Sequence, residues 1–139
     1  KSALDSIFHS LYNRTNNFFI QEVFSIMKND AFTFFDQIPF QDLGGGVRRK
    51  ILAYCDEIMQ AYLEFDTGAV GAMHSHPHIQ LTHILEGEFE FTIGDEVKRV
   101  HAGDTLLKQP NVPHGCVCIQ KGKLIDTFTP MRKDFVGEE

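Results

Sequence analysis

The segment THILEGEFEFTIGDEVKRVHAGD (82–104) decides the fold class of this chain. In its middle, the apolar residues Phe89, Phe91 and Ile93 alternate with polar ones, and this period of two is typical of a strand with one buried face. Gly94-Asp95 then supplies a turn, and a second run with apolar positions follows it. The segment therefore predicts two consecutive strands that share a core.

The chain continues this pattern on both sides of the segment, from about residue 32 onwards. Short apolar or alternating runs end at turn residues about every ten positions, and no strong helical period lies among them. These are the turn LGGGV (43–47), the runs RRKILAYC (48–55) and MQAYLEFDTG (59–68), and two more short strands within 105–130. The arrangement predicts an all-β sandwich or barrel.

Residues 1–30 follow a different rule. Leu4, Ile7 and Phe8 recur at helical spacing, and a second apolar run follows a polar interruption. We expect a short helical N-terminal extension over 1–30 and a β-barrel domain over 31–139. A face this apolar is unfavourable in water. We therefore expect the extension to cover a barrel face or an interface between the two copies of a homodimer.

Composition excludes several classes of partner. The chain has 139 residues, enough for one domain, and a formal net charge of −6, which argues against a nucleic-acid partner. No apolar run approaches membrane-spanning length, so we expect no membrane partner. The three cysteines (Cys55, Cys116 and Cys118) form no secreted-type framework and indicate reduced thiols and a cytoplasmic location.

The run HSHPHIQ (74–80) carries the chemistry. Alternate residues of an extended strand project to one face, so His74 and His76 would converge. Gln80, with His114 on a neighbouring strand, would complete a set of nitrogen and oxygen donors for a divalent transition metal: Zn, Ni, Fe, Mn or Co. The histidine pair alone fits a solvated strand equally well.

Two longer motifs resemble the metal-binding motifs of the cupin superfamily. GAVGAMHSHPHIQLTHILEG (68–87) resembles the first motif, and GDTLLKQPNVPHG (103–115) resembles the second. The resemblance implies a jelly-roll β-barrel whose metal ligands are His74, His76, Gln80 and His114. Cys116 shares strand parity with His114 and is a fallback donor, although we expect it to pack as a small core residue.

Gln80 departs from the family pattern, which more often has glutamate at this position. A neutral amide leaves a bound divalent ion with its full charge, so the ion is a stronger Lewis acid and a better anchor for an anion. Oxygen activation tends to use a carboxylate ligand. The departure therefore favours the binding or isomerisation of an acidic substrate over dioxygen chemistry.

A narrower resemblance lies downstream. LIDTFTPMRKDF (124–135), together with HSHPHIQ and NVPHG, resembles the KdgF-type cupins of pectin and alginate breakdown. That family converts the 4,5-unsaturated monouronate left by polysaccharide lyases into a linear keto-uronate. The resemblance implies a small anionic sugar-acid substrate and the catalytic residues Asp126, Phe128 and Arg132. Without it, an ion pair between Asp126 and Arg132 and a core position for Phe128 are the simpler interpretations.

Three functions stay open from the sequence. The first is a metal-dependent enzyme that linearises unsaturated uronates through proton transfer. The second is a metal-assisted sugar-acid-binding cupin without turnover, and the third is an iron-dependent cupin oxygenase. Asp126 distinguishes the first two, because a binding module has no need of a general acid or base. Iron dependence and oxygen uptake distinguish the third.

Overall fold

The fold is an antiparallel β-barrel in a computed structural model that describes residues 27–139. Eight strands make up nearly all its regular structure, with one short 3₁₀ turn before the barrel and one after it. The strands are β1 (Gln41–Gly44), β2 (Val47–Tyr54), β3 (Met59–Phe65), β4 (Val70–His74), β5 (Ile79–Ile93), β6 (Glu96–His101), β7 (Thr105–Lys108) and β8 (His114–Thr129). The 3₁₀ turns are Phe35–Gln37 and Lys133–Phe135.

The two long strands, β5 and β8, pair with each other and contribute to both sheets of the barrel. In the first sheet, the start of β5 pairs with β7 and the end of β8 pairs with β3, which continues through β2 to β1. In the second sheet, the end of β5 pairs with β6 and the start of β8 pairs with β4. This confirms the predicted jelly-roll barrel.

Two glycines allow both long strands to bend from one sheet to the other. Gly87 has φ of 84°, and a Cβ there would lie 2.4 Å from the Lys121 carbonyl oxygen. A Cβ on Gly122 would lie 2.5 Å from the Phe89 ring. The pairing of β5 with β8 shifts register at this point. No larger residue fits either position, so the bend is encoded by these glycines.

The apolar core lies next to this bend. Phe65 of β3 meets Phe89 of β5 edge to face, with ring centres 5.4 Å apart. Burial of each large apolar side chain contributes about 1.5–3 kcal/mol to stability. The fully or nearly fully buried members of this core are Val47, Phe65, Ala69, Ile84, Phe89, Phe91, Leu106, Cys116, Cys118 and Leu124. Phe89 and Phe91 therefore face inward, as their alternation predicts.

The helical extension predicted over residues 1–30 lies mostly outside the described residues, so it stays a prediction. Residues 27–30 form a turn that is held against the barrel. The Asn29 amide donates to the Tyr54 carbonyl at 2.9 Å, and Lys28 forms an ion pair with Asp56. The described part of the chain contains no helix long and apolar enough to cross a membrane.

One strand prediction was wrong in detail. The second of the two short strands expected within 105–130 is β8, which runs for 16 residues. Gly122 and the polar residues beside it interrupt the apolar pattern in the sequence. In the barrel the strand bends there and continues.

Candidate metal and substrate site

Three histidines meet at the end of the barrel opposite the bend. His74 ends β4, His114 begins β8, and the two residues are opposite each other in the register, with ring centres 4.5 Å apart. The ring of His76 lies 5.5 Å from that of His74 and 4.9 Å from that of His114. One nitrogen of each ring lies within 4.8 Å of the others, a grouping that can hold a divalent metal ion.

The sequence prediction placed His74 and His76 together by strand parity, and this reason was wrong. β4 ends at His74, and His76 lies in the loop that leads to β5. The Asn111 amide donates to the His76 carbonyl at 2.8 Å and helps to hold this loop. The loop, rather than strand alternation, therefore brings His76 to the cluster.

Backbone carbonyls orient two of the rings. Nδ1 of His74 lies 2.7 Å from the Ala72 carbonyl oxygen, and Nδ1 of His114 lies 2.9 Å from that of Val112. In the tautomer that donates these bonds, Nε2 carries the free lone pair that a metal requires. Nε2 of His114 is buried and has no hydrogen-bond partner among the described residues. Burial lowers the pKa of His114 to about 4, so the ring is neutral at pH 7. These residues fit a metal.

Gln80 lies beside the cluster, as predicted. It is buried at the start of β5, and its Oε1 lies 2.9 Å from Nε2 of His76. Two ligands at right angles on one ion, with bonds of about 2.1 Å, stand about 3 Å apart. The other end of the amide donates to Oγ1 of Thr82 at 3.4 Å, which turns Oε1 towards the histidines.

Thr82 also connects Gln80 to Asp126, the predicted acid or base. Asp126 is buried on β8 opposite Thr82 of β5, and the Thr82 hydroxyl donates to its Oδ1. Phe128, two residues further along β8, is 2% exposed, and its ring centre lies 5.8 Å from that of His76. Asp126 and Phe128 share the buried face of β8, and Phe128 packs beside the histidines.

Lys108 is a buried cation in this network that the sequence interpretation missed. It is 1% exposed, its ammonium donates to Oγ1 of Thr82, and no carboxylate of the described residues lies within ion-pair distance of it. Burial lowers the pKa of Lys108, and the charge of Asp126 acts in the opposite direction. Lys108 has the same strand parity as Leu106, which is buried on β7, and this parity could have predicted that Lys108 faces inward.

Arg132 forms an ion pair that differs from the simpler interpretation of the sequence. Its Nε and Nη2 donate to the two carboxylate oxygens of Asp134 at 2.9 and 2.7 Å, so the partner is Asp134 and not Asp126. Its guanidinium carbon lies 5.4 Å from the ring centre of Phe128. Arg132 is therefore at the site, with one edge of its fork occupied and Nη1 still available.

Of two further residues near the site, Cys116 packs as expected. Cys116 is buried in the apolar core, where burial raises the pKa of its thiol to about 11. His78 lies at the mouth of the site, where its Nε2 is 3.2 Å from the Met131 carbonyl oxygen and its ring packs near Phe128. Neither residue belongs to the histidine cluster.

A jelly-roll barrel with this donor set at one end is the architecture of a cupin. The family model described as Cupin domain matches residues 61–127. Pectin degradation protein KdgF of Dickeya dadantii (strain 3937) is 38% identical over 103 residues, which is 73% of this chain and 94% of that protein. The chain belongs to the cupin superfamily and, within it, to the KdgF family.

Solved structures give the same result. The structure of KdgF from Halomonas sp. is 32% identical, with a TM-score of 0.73 over 76% of this chain and 98% of that one. An RmlC-like cupin from Shewanella frigidimarina NCIMB 400 is 40% identical, with a TM-score of 0.76 over 79% of this chain and 99% of that one. Anti-sigma-E factor ChrR of Cereibacter sphaeroides is more distant, 29% identical over 92 residues, which cover 60% of this chain and 41% of that protein.

Proposed function

We propose that this protein is a metal-dependent enzyme that converts 4,5-unsaturated monouronates, the products of pectin and alginate lyases, into linear keto-uronates. The observation that supports the proposal is the hydrogen-bonded series from Gln80 through Thr82 to the buried carboxylate of Asp126. The 38% identity to a pectin degradation protein supports the same substrate class.

The reaction is an isomerisation that moves one proton. When the C1 hydroxyl loses its proton and the bond between C1 and the ring oxygen breaks, the ring opens to an aldehyde and an enolate at C5. A proton added at C4 then produces the C5 ketone. A positioned carboxyl group can remove the first proton and deliver the second, and such catalysis contributes about 10²–10⁴-fold to the rate. We assign this role to Asp126.

The three histidines and Gln80 would hold the metal, which supplies a Lewis acid for a carboxylate or a ring oxygen of the substrate. These four donors are neutral, so the site keeps a positive charge that suits an anionic sugar acid. Zn, Ni, Fe, Mn and Co all accept such a donor set.

Phe128 and Arg132 would hold the substrate. Phe128 offers an apolar ring at the site and excludes water from the sugar face. Arg132 can donate from Nη1 to the substrate carboxylate while Asp134 fixes the other edge of its guanidinium. A homodimer and a cytoplasmic location stay predictions.

A second candidate is a sugar-acid-binding cupin without turnover. The similarity to ChrR favours it, because that protein is named as an anti-sigma factor and not as an enzyme. The two candidates differ in what they require of Asp126, since binding alone needs no proton transfer.

An absorbance assay tests the proposal. The conjugated C=C–carboxylate of monomeric unsaturated galacturonate absorbs in the near ultraviolet, and ketonisation removes the band. We expect the metal-loaded protein to remove it much faster than the spontaneous rate, and Asp126→Asn to lose about 10²–10⁴-fold of that rate. Asp126→Asn should still bind saturated galacturonate in calorimetry. Loss of the band at the spontaneous rate in metal-loaded wild type would overturn the enzyme assignment.

A further inference from the structure

Arg49 is a second arginine near the site, where it packs on the same Phe135 ring as Arg132, and it has no role in the proposed reaction. It lies on β2 between Val47 and Ile51, two buried residues whose parity it shares, and opposite Leu63 of β3. Its side chain is half-buried and points to the barrel side of the sheet. Ile51 pairs through Ala61 with Asp126, so Arg49 is one inward position away from the row that contains the proposed acid or base.

The contacts of Arg49 leave its terminal nitrogens available. Its Nε donates to Oε1 of Gln41 at 2.9 Å, and its guanidinium carbon lies 3.7 Å from the ring centre of Phe135. Within residues 27–139, Nη1 and Nη2 have no hydrogen-bond partner, and no carboxylate forms an ion pair with Arg49. The adjacent Arg48 has the opposite parity and forms an ion pair with Glu64.

The surroundings of Arg49 include a second arginine that packs on the same aromatic ring. The guanidinium carbon of Arg132 lies 4.3 Å from the ring centre of the same Phe135, and that ring packs on Phe128 with centres 5.4 Å apart. Asp134 is the only carboxylate that the described residues place in an ion pair with either arginine. Burial and the charge of Arg132 lower the pKa of Arg49, while two nearby carboxylates raise it. An anion that binds both guanidinium groups would offset the repulsion between them.

We propose that Arg49 binds the carboxylate of the sugar-acid substrate, as a second carboxylate-binding residue beside Arg132. The inference rests on the proposed function and deepens it. Nη1 and Nη2 form one planar edge of a guanidinium, and such an edge matches the two oxygens of a carboxylate. Asp134 already pairs with Arg132 and balances its charge, whereas Arg49 has no carboxylate partner among the described residues, so Arg49 is the arginine that lacks a counter-charge.

The test compares Arg49→Met with Arg48→Met, which removes the same charge from the same strand on its other face. In the absorbance assay with unsaturated galacturonate, Arg49→Met should raise KM about 10-fold to 100-fold, the loss expected for a hydrogen bond between charged groups, and change kcat only a few-fold. Arg48→Met should leave both constants within about twofold. Arg49→Lys should fall between wild type and Arg49→Met, because the ammonium keeps the charge without the fork.

Calorimetry with saturated galacturonate and with galactose separates a binding role from a structural one. We expect Arg49→Met to weaken galacturonate binding by the same factor as KM and to leave galactose binding unchanged. Equal weakening of both sugars, or an unchanged KM in an active Arg49→Met protein, would overturn the inference and leave the proposed reaction standing. Wild type that binds galacturonate through Arg49 but shows no turnover would refute only the reaction. Wild type that does neither refutes both.

Discussion

The two ends of the barrel are built from the same strands and differ in chemistry. The closed end, defined by Ile84, Phe89, Cys118 and Leu124 next to the bend, is apolar, and each of these side chains is at most 2% exposed. The open end is defined by His76, Gln80, His114, Lys108 and Asp126, which are almost as deeply buried and are all polar. In both, strand alternation decides which strand residues face inward, and at the open end a loop adds His76. The identity of those residues then decides whether an end contributes stability or chemistry.

The energetic difference between the two ends is large. Apolar burial stabilises the closed end, whereas each buried polar group at the open end loses its hydration and must recover the loss from a partner. Among the described residues, the only hydrogen-bond partner of the Lys108 ammonium is a hydroxyl, and Nε2 of His114 has no hydrogen-bond partner. Such groups are typical of functional sites, so the comparison locates the site independently of any motif.

The largest effect is expected from a substitution that disrupts the metal site at the open end. His114→Ala should lose most bound metal, measured as metal per protein chain by mass spectrometry. Turnover of unsaturated galacturonate should fall about 1000-fold, since Lewis-acid catalysis supplies several kcal/mol. His101→Ala is the control, because His101 is exposed on β6 and lies outside the cluster. Full metal content in His114→Ala would contradict the assignment of His114 as a ligand.

The complementary substitution disrupts the apolar packing of the closed end. Phe89→Ala removes a ring that is fully buried against Phe65 and should cost about 3–5 kcal/mol of unfolding free energy, measured by urea denaturation. In the fraction that stays folded, metal content per chain should match wild type. A loss of less than about 1 kcal/mol would show that the closed end does not carry the stability of the barrel.

Acid should act on the metal-free open end. The pKa of His114 is lowered to about 4 when folded, against 6.5 for an ordinary histidine. Between these two pKa values, the unfolded chain binds a proton at His114 that the folded chain does not bind. The free energy of unfolding therefore falls as pH falls through this window and is constant above it. From pH 7 to pH 5 the contribution is about 2 kcal/mol. Urea denaturation of metal-free His114→Gln should show a correspondingly smaller loss than metal-free wild type, and equal losses would refute the role of His114.

The smallest expected effect concerns Lys108. Lys108→Met replaces a buried cation with an apolar chain of similar length, so the unfolding free energy should stay unchanged or rise by about 1 kcal/mol. Turnover should fall about 10-fold, because the ammonium no longer holds the Thr82 hydroxyl towards Asp126. Denaturation and the absorbance assay on the same preparation measure both quantities. Unchanged turnover would exclude Lys108 from the site.

The same comparison explains what could be predicted from the sequence. The closed end follows from alternation, because Phe89 and Phe91 mark the inward face wherever the strand begins or ends. The donor set follows from motif resemblance, and His74, His76, Gln80 and His114 do lie together. Strand parity was the wrong reason for placing His76 with His74, because parity does not apply to a residue beyond the end of the strand.

What the sequence missed depends on contacts between distant strands. Lys108 looks like an ordinary exposed lysine until β7 pairs with β5 and its parity places it next to Thr82. The pair of Arg132 with Asp134 requires the 3₁₀ turn that follows β8. Neither the pairing of β7 nor this turn has a local sequence signal strong enough to predict it.

The central claim is that the open end isomerises an unsaturated uronate, and the mass of the product tests it most directly. Metal-loaded wild type should be incubated with unsaturated galacturonate until the ultraviolet band disappears, and the mass of the product should then be measured by mass spectrometry. The account predicts loss of the band in a product of unchanged elemental composition, because linearisation only moves a proton and opens the ring. A product that has gained oxygen atoms, or a substrate that is bound and recovered intact, would contradict it.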